Sequence, residues 1–384
     1  MDNLKSKAKL STKQIVAICF VFAVSAALFI TASYFMLYEP DPGNKTIPFI
    51  DTGTGTYAPS PTESGKTTEP LPTYEPTEKK SYNFLVIGHD RVAVLADVIM
   101  LINYNVTDGE VAIMQIPRDT YIRGSSYGQV NVAFSSFFVN AQMAGSKNPT
   151  LDAVTEFTKL IEKTLCVNIS YSAVMNLDGF TNIVDILGGV EMDVPFDLDY
   201  EDEFQNLYIH VKAGRQVLKG ANAEGVVRFR NSFVQADIGR GNMQKMFMAA
   251  FLKKLITGID ISNVTQIANQ VMKNVTTDLK VDDIVYFGKN ALNLNLAKVT
   301  IMTIPSSGTS TGGIVINRKV ALDRINKYFN LYSSDITDSL FDRSRVMCPT
   351  DEYSMGKYYD NSPEIAAVYT AQGIIDNPID IPRM

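Results

Sequence analysis

Asn83-Phe-Leu-Val-Ile-Gly88 holds a short apolar run, Phe84 to Ile87, that stops at Gly88 and opens into the polar loop His89-Asp90-Arg91. Continuous hydrophobicity over so few residues marks a strand buried on both faces. Asp97-Val-Ile-Met-Leu-Ile-Asn-Tyr104 predicts a second strand. A Thr107-Asp108-Gly109 turn leads to Glu110-Val-Ala-Ile-Met-Gln-Ile116, a third strand antiparallel to the second. Downstream, the period of the apolar residues switches repeatedly. It predicts helices over 151–165 and 177–187, the latter closed by Gly188-Gly189, and strands over 169–175 and 190–194. A hairpin-like region runs to Val217, with further helices over 243–256, 264–273 and 281–293 and a late strand over 298–304. This alternation predicts an α/β fold: a mixed sheet with flanking helices in three α/β/α-like layers. The folded domain spans 81–305. Residues 306–384 form a C-terminal extension that pattern alone does not place, either packed on the main domain or carrying an accessory role.

Residues 1–14 carry Lys5, Lys7, Lys9 and Lys13, and 15–38 are apolar and uncharged. A helix of that length crosses a hydrocarbon core of ~30 Å. Lysines before it, and Glu39 and Asp41 after it, predict a single-pass transmembrane helix with a cytoplasmic N-terminus. The run is long for a signal-peptide core and ends in no A-x-A site. Residues 39–80, rich in Pro and Thr, read as an extracytoplasmic linker. The expected location is therefore the cell membrane, with the main domain outside the cytoplasm.

A net charge of −6 argues against a general nucleic-acid binder, so any anion site must be local. Three cysteines show no zinc-ligand spacing, and there is no Walker or GxGxxG signature. The two histidines are His89 and His210; His89 reads best as a solvated or hydrogen-bonded loop residue.

Val226-Val-Arg-Phe-Arg-Asn-Ser-Phe-Val-Gln-Ala-Asp-Ile-Gly-Arg-Gly-Asn-Met-Gln244 concentrates positive charge. Val226 to Arg230 reads as a short strand whose period of two puts Arg228 and Arg230 on one face. A helix opens near Arg240, with Arg240 and Gln244 on one face and Phe247 and Phe251 continuing it. Guanidiniums gathered at a helix N-terminus suit phosphate oxygens. The plain alternative is a set of surface arginines paired with carboxylates. Asp90, Asp97 and Arg118 fall at the ends of the first three strands. Two carboxylates near several arginines suit Mg²⁺ with a pyrophosphate, or else structural ion pairs with Arg118 or Arg91. Met243, Met246 and Met248 read as core or groove lining, Asp178 as a helix cap, and 197–203 as a solvated acidic loop.

The chain from about Tyr82 to Pro305 resembles the LytR-CpsA-Psr cell-wall assembly proteins. The pieces are Asn83-Phe-Leu-Val-Ile-Gly-His-Asp90, Asp97-Val-Ile-Met-Leu101, Ile116-Pro-Arg-Asp-Thr-Tyr121, Asn131, Met175-Asn-Leu-Asp-Gly-Phe180, Val184-Asp-Ile-Leu-Gly-Gly-Val190 and Arg228-Phe-Arg230 through Asp237-Ile-Gly-Arg240 to Gln244. The resemblance implies a phosphotransferase moving an anionic glycopolymer, such as teichoic acid or capsule, from a polyprenyl-pyrophosphate carrier to peptidoglycan. It implies Mg²⁺ (or Mn²⁺) held by Asp90 and Asp97, and catalysis by Asp97, Arg118, Arg228 and Arg230. It implies pyrophosphate binding by Arg118, Arg228, Arg230, Arg240 and Gln244, and an apolar groove for the polyprenyl chain. Leu95-Ala96 stand where the family carries Arg-Ser, so one guanidinium and one hydroxyl are missing. The alternatives are a non-catalytic regulator that binds polyprenyl phosphate or wall polymer, and a lipid pyrophosphatase.

Overall fold

The structure is a computed structural model of the 384-residue chain. It describes residues 38–41, 75–90, 94–122, 128–203, 207–231, 233, 236–258, 264–309, 313–343 and 365–383. The expected membrane helix lies outside these residues except for Tyr38, and none of the described helices is long and apolar enough to cross a bilayer.

The strands in chain order are β1 (Ser81–His89), β2 (Ala96–Asn105), β3 (Glu110–Gln115), β4 (Tyr171–Asn176), β5 (Val190–Val194), β6 (Leu198–Asp202), β7 (Leu207–Val211), β8 (Gly214–Leu218), β9 (Thr276–Thr277), β10 (Val299–Thr303), β11 (Ser306–Gly308), β12 (Ile314–Ile316) and β13 (Val368–Thr370). The helices are α1 (Val130–Met143), α2 (Pro149–Leu165), α3 (Leu177–Ile186), α4 (Gly220–Arg228), α5 (Ala236–Gly258), α6 (Val264–Met272), α7 (Val281–Ala291), α8 (Arg318–Tyr328), α9 (Asp338–Arg343) and α10 (Ala371–Asp376).

The main sheet has the order β13-β10-β3-β2-β1-β4-β9. Pairs β1/β4 and β3/β10 are parallel, and β2 runs antiparallel to β1 and β3, as the turn at Gly109 predicts. Strands β1, β3, β4 and β10 therefore point the same way. Alternation along the strands feeds two cores. Leu85, Ile87, Ile99 and Leu101 face α1, α2 and α8, meeting Phe134, Phe157 and Ile325. Tyr104, Ile113 and Ile301 face the other way, toward α4, α5 and α10, meeting Val226, Phe247 and Ile374. This is the expected three-layer arrangement. Buried Asn83 ties the layers: its amide donates to the carbonyls of Asn168 and Phe329, each at 2.8 Å, and its oxygen accepts from Asn103 at 2.9 Å.

The C-terminal stretch completes the domain. Strand β13 is an edge of the main sheet, α8 and α9 close the first core, and α10 packs on α5. At the other end, Tyr38 Oη donates to Asp283 at 2.6 Å and Glu39 pairs with Lys80, so the head of the expected linker lies on the domain.

Three local readings are corrected. Val226–Arg228 is the last turn of α4, not a strand. Ala223 and Val226 are both buried, three residues apart on one helical face, and burying that stripe outweighs the period-two appearance of Val-Arg-Phe-Arg. The cap of α3 is Asn176, whose side chain accepts from the Gly179 amide, with Asp178 inside the first turn. The acidic run is mostly strand β6, paired with β7, because Leu198 and Ile209 bury their side chains beneath it.

Candidate active site

Parallel sheets place binding sites at the carboxyl ends of their strands. Here β3 and β10 end side by side, with the Gln115 carbonyl accepting from the Ile304 amide at 2.9 Å. Just beyond, Pro117-Arg118-Asp119-Thr120 makes a tight turn, its Thr120 amide donating to the Pro117 carbonyl at 3.1 Å. The start of α1 anchors that turn: the Asn131 amide donates to the Arg118 carbonyl at 3.1 Å, and the Val130 amide to the Thr120 carbonyl at 2.9 Å. Arg118 is therefore presented from a fixed backbone.

Beside it, β2 begins with a β-bulge. Gly88 is opposite Val98 and His89 is opposite Ala96, which leaves Asp97 as the extra residue. A bulge re-aims a side chain that plain alternation would send elsewhere. Asp97 Oδ1 accepts from Arg118 Nη1 at 2.6 Å, and Asp119 Oδ2 lies 3.4 Å from Arg118 Nε, so both acids flank one guanidinium.

Helix α5 forms the facing wall. Its residues are buried around most of its girth, as for a helix enclosed by its domain. Arg240, Gln244 and Lys245 face the cleft that Asp97, Arg118 and Asp119 line from the other side. Gln244 is the fastener: its Nε2 donates to the Val227 carbonyl at 3.0 Å, and its Oε1 accepts from Gln115 Nε2 at 2.5 Å. It thus joins α5 to the end of α4 and to β3. Because α5 starts at Ala236, Arg240 sits in its second turn rather than at its N-terminus.

The structure thus gathers Asp97, Arg118, Arg240 and Gln244 in one cleft. Arg228 and Arg230 stand outside this lining at the end of α4. Arg228 Nη1 donates to Glu224 Oε1 at 2.8 Å, and Arg230 is exposed beyond the buried Phe229. Asp90 also lies outside it. Its Oδ1 accepts the Val94 amide at 2.8 Å, and Val94, two residues before β2, takes φ +55°, a strained conformation for a β-branched residue. His89 Nδ1 lies 2.6 Å from the Asp90 carbonyl; the residue is the last of β1 rather than part of the loop. Among the described residues no three or more His, Cys, Asp or Glu side chains group to hold a metal ion.

The sequence reading passed over Lys245, Asp119 and Gln115. Lys245 is 6% exposed, and desolvation pushes its ammonium down to about 8. The available signal was spacing: Gly241 and Lys245 are four apart, alongside Arg240 and Gln244.

A family model described as LytR_cpsA_psr matches residues 52–330. The polyisoprenyl-teichoic acid–peptidoglycan teichoic acid transferase TagV of Bacillus subtilis is 25% identical over 218 residues, covering 54% of this chain and 52% of that protein. The enzyme named TagU in Bacillus cereus is 29% identical over 216 residues, covering 56% of this chain and 64% of that one. The chain thus spans roughly half to two thirds of these relatives. The crystal structure of protein gbs0355 from Streptococcus agalactiae superposes with a TM-score of 0.57 at 18% identity, covering 73% of this chain and 97% of that one, a likeness of fold. With most of the folded domain inside the matched region, the chain belongs to the LytR_cpsA_psr family.

Proposed function

We propose that this chain is a membrane-anchored phosphotransferase that moves an anionic glycopolymer from a polyprenyl-pyrophosphate carrier to peptidoglycan outside the cell membrane. The observation that carries the reading is the convergence of Arg118, Arg240 and Gln244 with Asp97 in one cleft. The names of the curated relatives, teichoic acid transferases, point to the same chemistry. Guanidiniums on opposing walls match phosphate oxygens and offset the charge of phosphoryl transfer. An acceptor hydroxyl oxygen attacks the phosphorus that carries the glycan. The new P–O bond forms as the bond to polyprenyl phosphate breaks, its electron pair staying with the leaving oxygen. The hydroxyl proton passes to the Asp97 carboxylate, which Arg118 holds in place. Arg228 and Arg230 serve the same anion from the end of α4, and the apolar faces of the helices take the polyprenyl chain.

The donor set suits Mg²⁺ (or Mn²⁺) through Asp97 together with substrate oxygens and water, while Asp90 shapes the loop beside it. Such an ion would supply charge neutralisation at the bridging phosphate oxygens.

The test is reconstitution with a lipid-pyrophosphate saccharide and peptidoglycan fragments, scoring transfer against hydrolysis. Transfer that needs the acceptor, and that Asp97→Asn abolishes while lipid binding persists, is the expected result. Turnover to free saccharide phosphate would instead identify a lipid pyrophosphatase. Tight binding without turnover would identify a regulator, and transfer in the presence of a chelator would remove the metal. Protease added to intact protoplasts should release a soluble fragment beginning within the linker 39–80, as an external domain requires.

A further inference from the structure

Among the described residues, no carboxylate pairs with the Lys245 ammonium. This lysine is 6% exposed on a cleft wall. Among the described residues its ammonium has one hydrogen-bond acceptor, Asn242 Oδ1 at 3.1 Å on the same helix. The two acids that line the same cleft, Asp97 and Asp119, are both engaged by Arg118. An ammonium has three donors, so capacity remains. One turn earlier, Gly241 leaves the approach open. A Cβ there would stand 3.9 Å from Lys245 Nζ and 3.6 Å from Gln115 Oε1, in contact with both inside the cleft.

A buried cation with a single neutral acceptor is costly for a folded protein, and an entering anion removes that cost. We propose that Lys245 is a further substrate-binding residue of this cleft, its ammonium donating to phosphate oxygens of the diphosphate that Arg118 and Arg240 bracket. The inference rests on the phosphate-site reading above. It also gives the site a property that arginines alone do not. Burial holds the ammonium at about 8, and a bound anion favours its charged form, so anion binding is coupled to protonation of Lys245. Among the described residues, the charged groups that line the cleft with it are Asp97 from β2, Arg118 and Asp119 from the turn after β3, and Arg240 from α5.

The test is calorimetric binding of geranyl diphosphate, with inorganic pyrophosphate in parallel, to the full chain from about pH 7.5 to about pH 10. For geranyl diphosphate that window lies above the last phosphate ionisation, near ~6, so its own charge changes little; inorganic pyrophosphate, which loses a further proton inside the window, is compared at the low end only. Wild-type affinity should be steady up to about pH 8 and then fall by as much as about tenfold per pH unit. Lys245→Met removes a buried charge and should fold. It should bind about tenfold or more weakly at the low end, as for a lost charged hydrogen bond, with a flat profile. Lys245→Arg should keep most of the affinity and also lose the pH dependence. Wild-type and Lys245→Met curves that coincide would overturn the proposal while leaving the phosphate site standing. Absence of binding to wild type at every pH would overturn both.

Discussion

Arg118 Nη1 lies 2.6 Å from Asp97 Oδ1, joining the turn after β3 to the bulge of β2. The two side chains are 23% and 36% exposed, so solvent screens the pair, and its contribution to stability is about 0–1 kcal/mol. Its larger role is to hold two functional groups in fixed geometry. Arg118→Ala should lower unfolding free energy by no more than about 1 kcal/mol and weaken diphosphate binding by ~1.5–3 kcal/mol. Lys at this position should recover only part, because the planar fork is lost. Urea unfolding and calorimetry on the same samples separate the two effects. A large stability loss with unchanged affinity would make the pair purely structural.

Gln244 has both ends of its amide engaged, donating to the Val227 carbonyl and accepting from Gln115. Gln244→Ala strips both partners and should cost ~1–2 kcal/mol of stability. Gln244→Glu keeps an acceptor for Gln115 but loses the donor to Val227, and it sets a second carboxylate near the anion. It should therefore be the milder change in stability and the worse one in diphosphate affinity. The reverse order in the two assays would show that Gln244 acts only as a fastener.

The two glycines flanking Arg240 should respond with opposite signs. A Cβ on Gly239 would fall 2.4 Å from Cγ of Phe233, which is itself buried against Phe229 and Phe196. Gly239→Ala should thus destabilise by ~1–3 kcal/mol through overpacking. Gly241 has nothing within 3.5 Å, so Gly241→Ala should add stability, by up to ~1 kcal/mol from helix propensity. The same methyl would touch both Lys245 and Gln115 inside the cleft, so diphosphate affinity should fall even as the melting temperature rises. Melting curves for both variants, with binding measured on Gly241→Ala, check the pair.

The sheet was legible because β1, β2 and β3 write their burial directly as apolar runs separated by turn residues. So were the strand-end positions of Asp97 and Arg118. The Asp97 bulge was not, since one extra residue leaves no mark in composition; only the register reveals it. Strand β13 is three residues long and finds its place through the neighbouring β10, a long-range pairing that local pattern does not encode. Val-Arg-Phe-Arg misled because alternation over four residues fits a strand and a helix end equally, and the deciding contact, Val226 against the second core, is tertiary. Spacing alone does not single out Lys245, for a related reason. A lysine in a helix is usually solvated, and only the enclosure of α5 on nearly all sides makes this one different.

That enclosure sets a final expectation for Lys245, independent of any ligand. Burial disfavours its ammonium, lowering the group from the ordinary 10.5 to about 8 in the folded chain. The unfolded chain therefore holds the proton more tightly. The resulting destabilisation is fully present below about pH 8, shrinks as pH rises, and is gone above about pH 10.5. At about 1.4 kcal/mol per unit, the neutral-pH cost is roughly 3 kcal/mol at most. Lys245→Met should therefore unfold at higher urea than wild type near pH 7, and the gap should close toward pH 10. Added diphosphate at pH 7 should narrow the same gap, because it stabilises wild type by satisfying the buried charge and has less to offer the variant. Urea midpoints at several pH values, with and without ligand, decide the matter. A gap independent of pH would mean that the ammonium reaches water in the folded state, and a gap that ligand leaves unchanged would mean that the anion does not reach the ammonium.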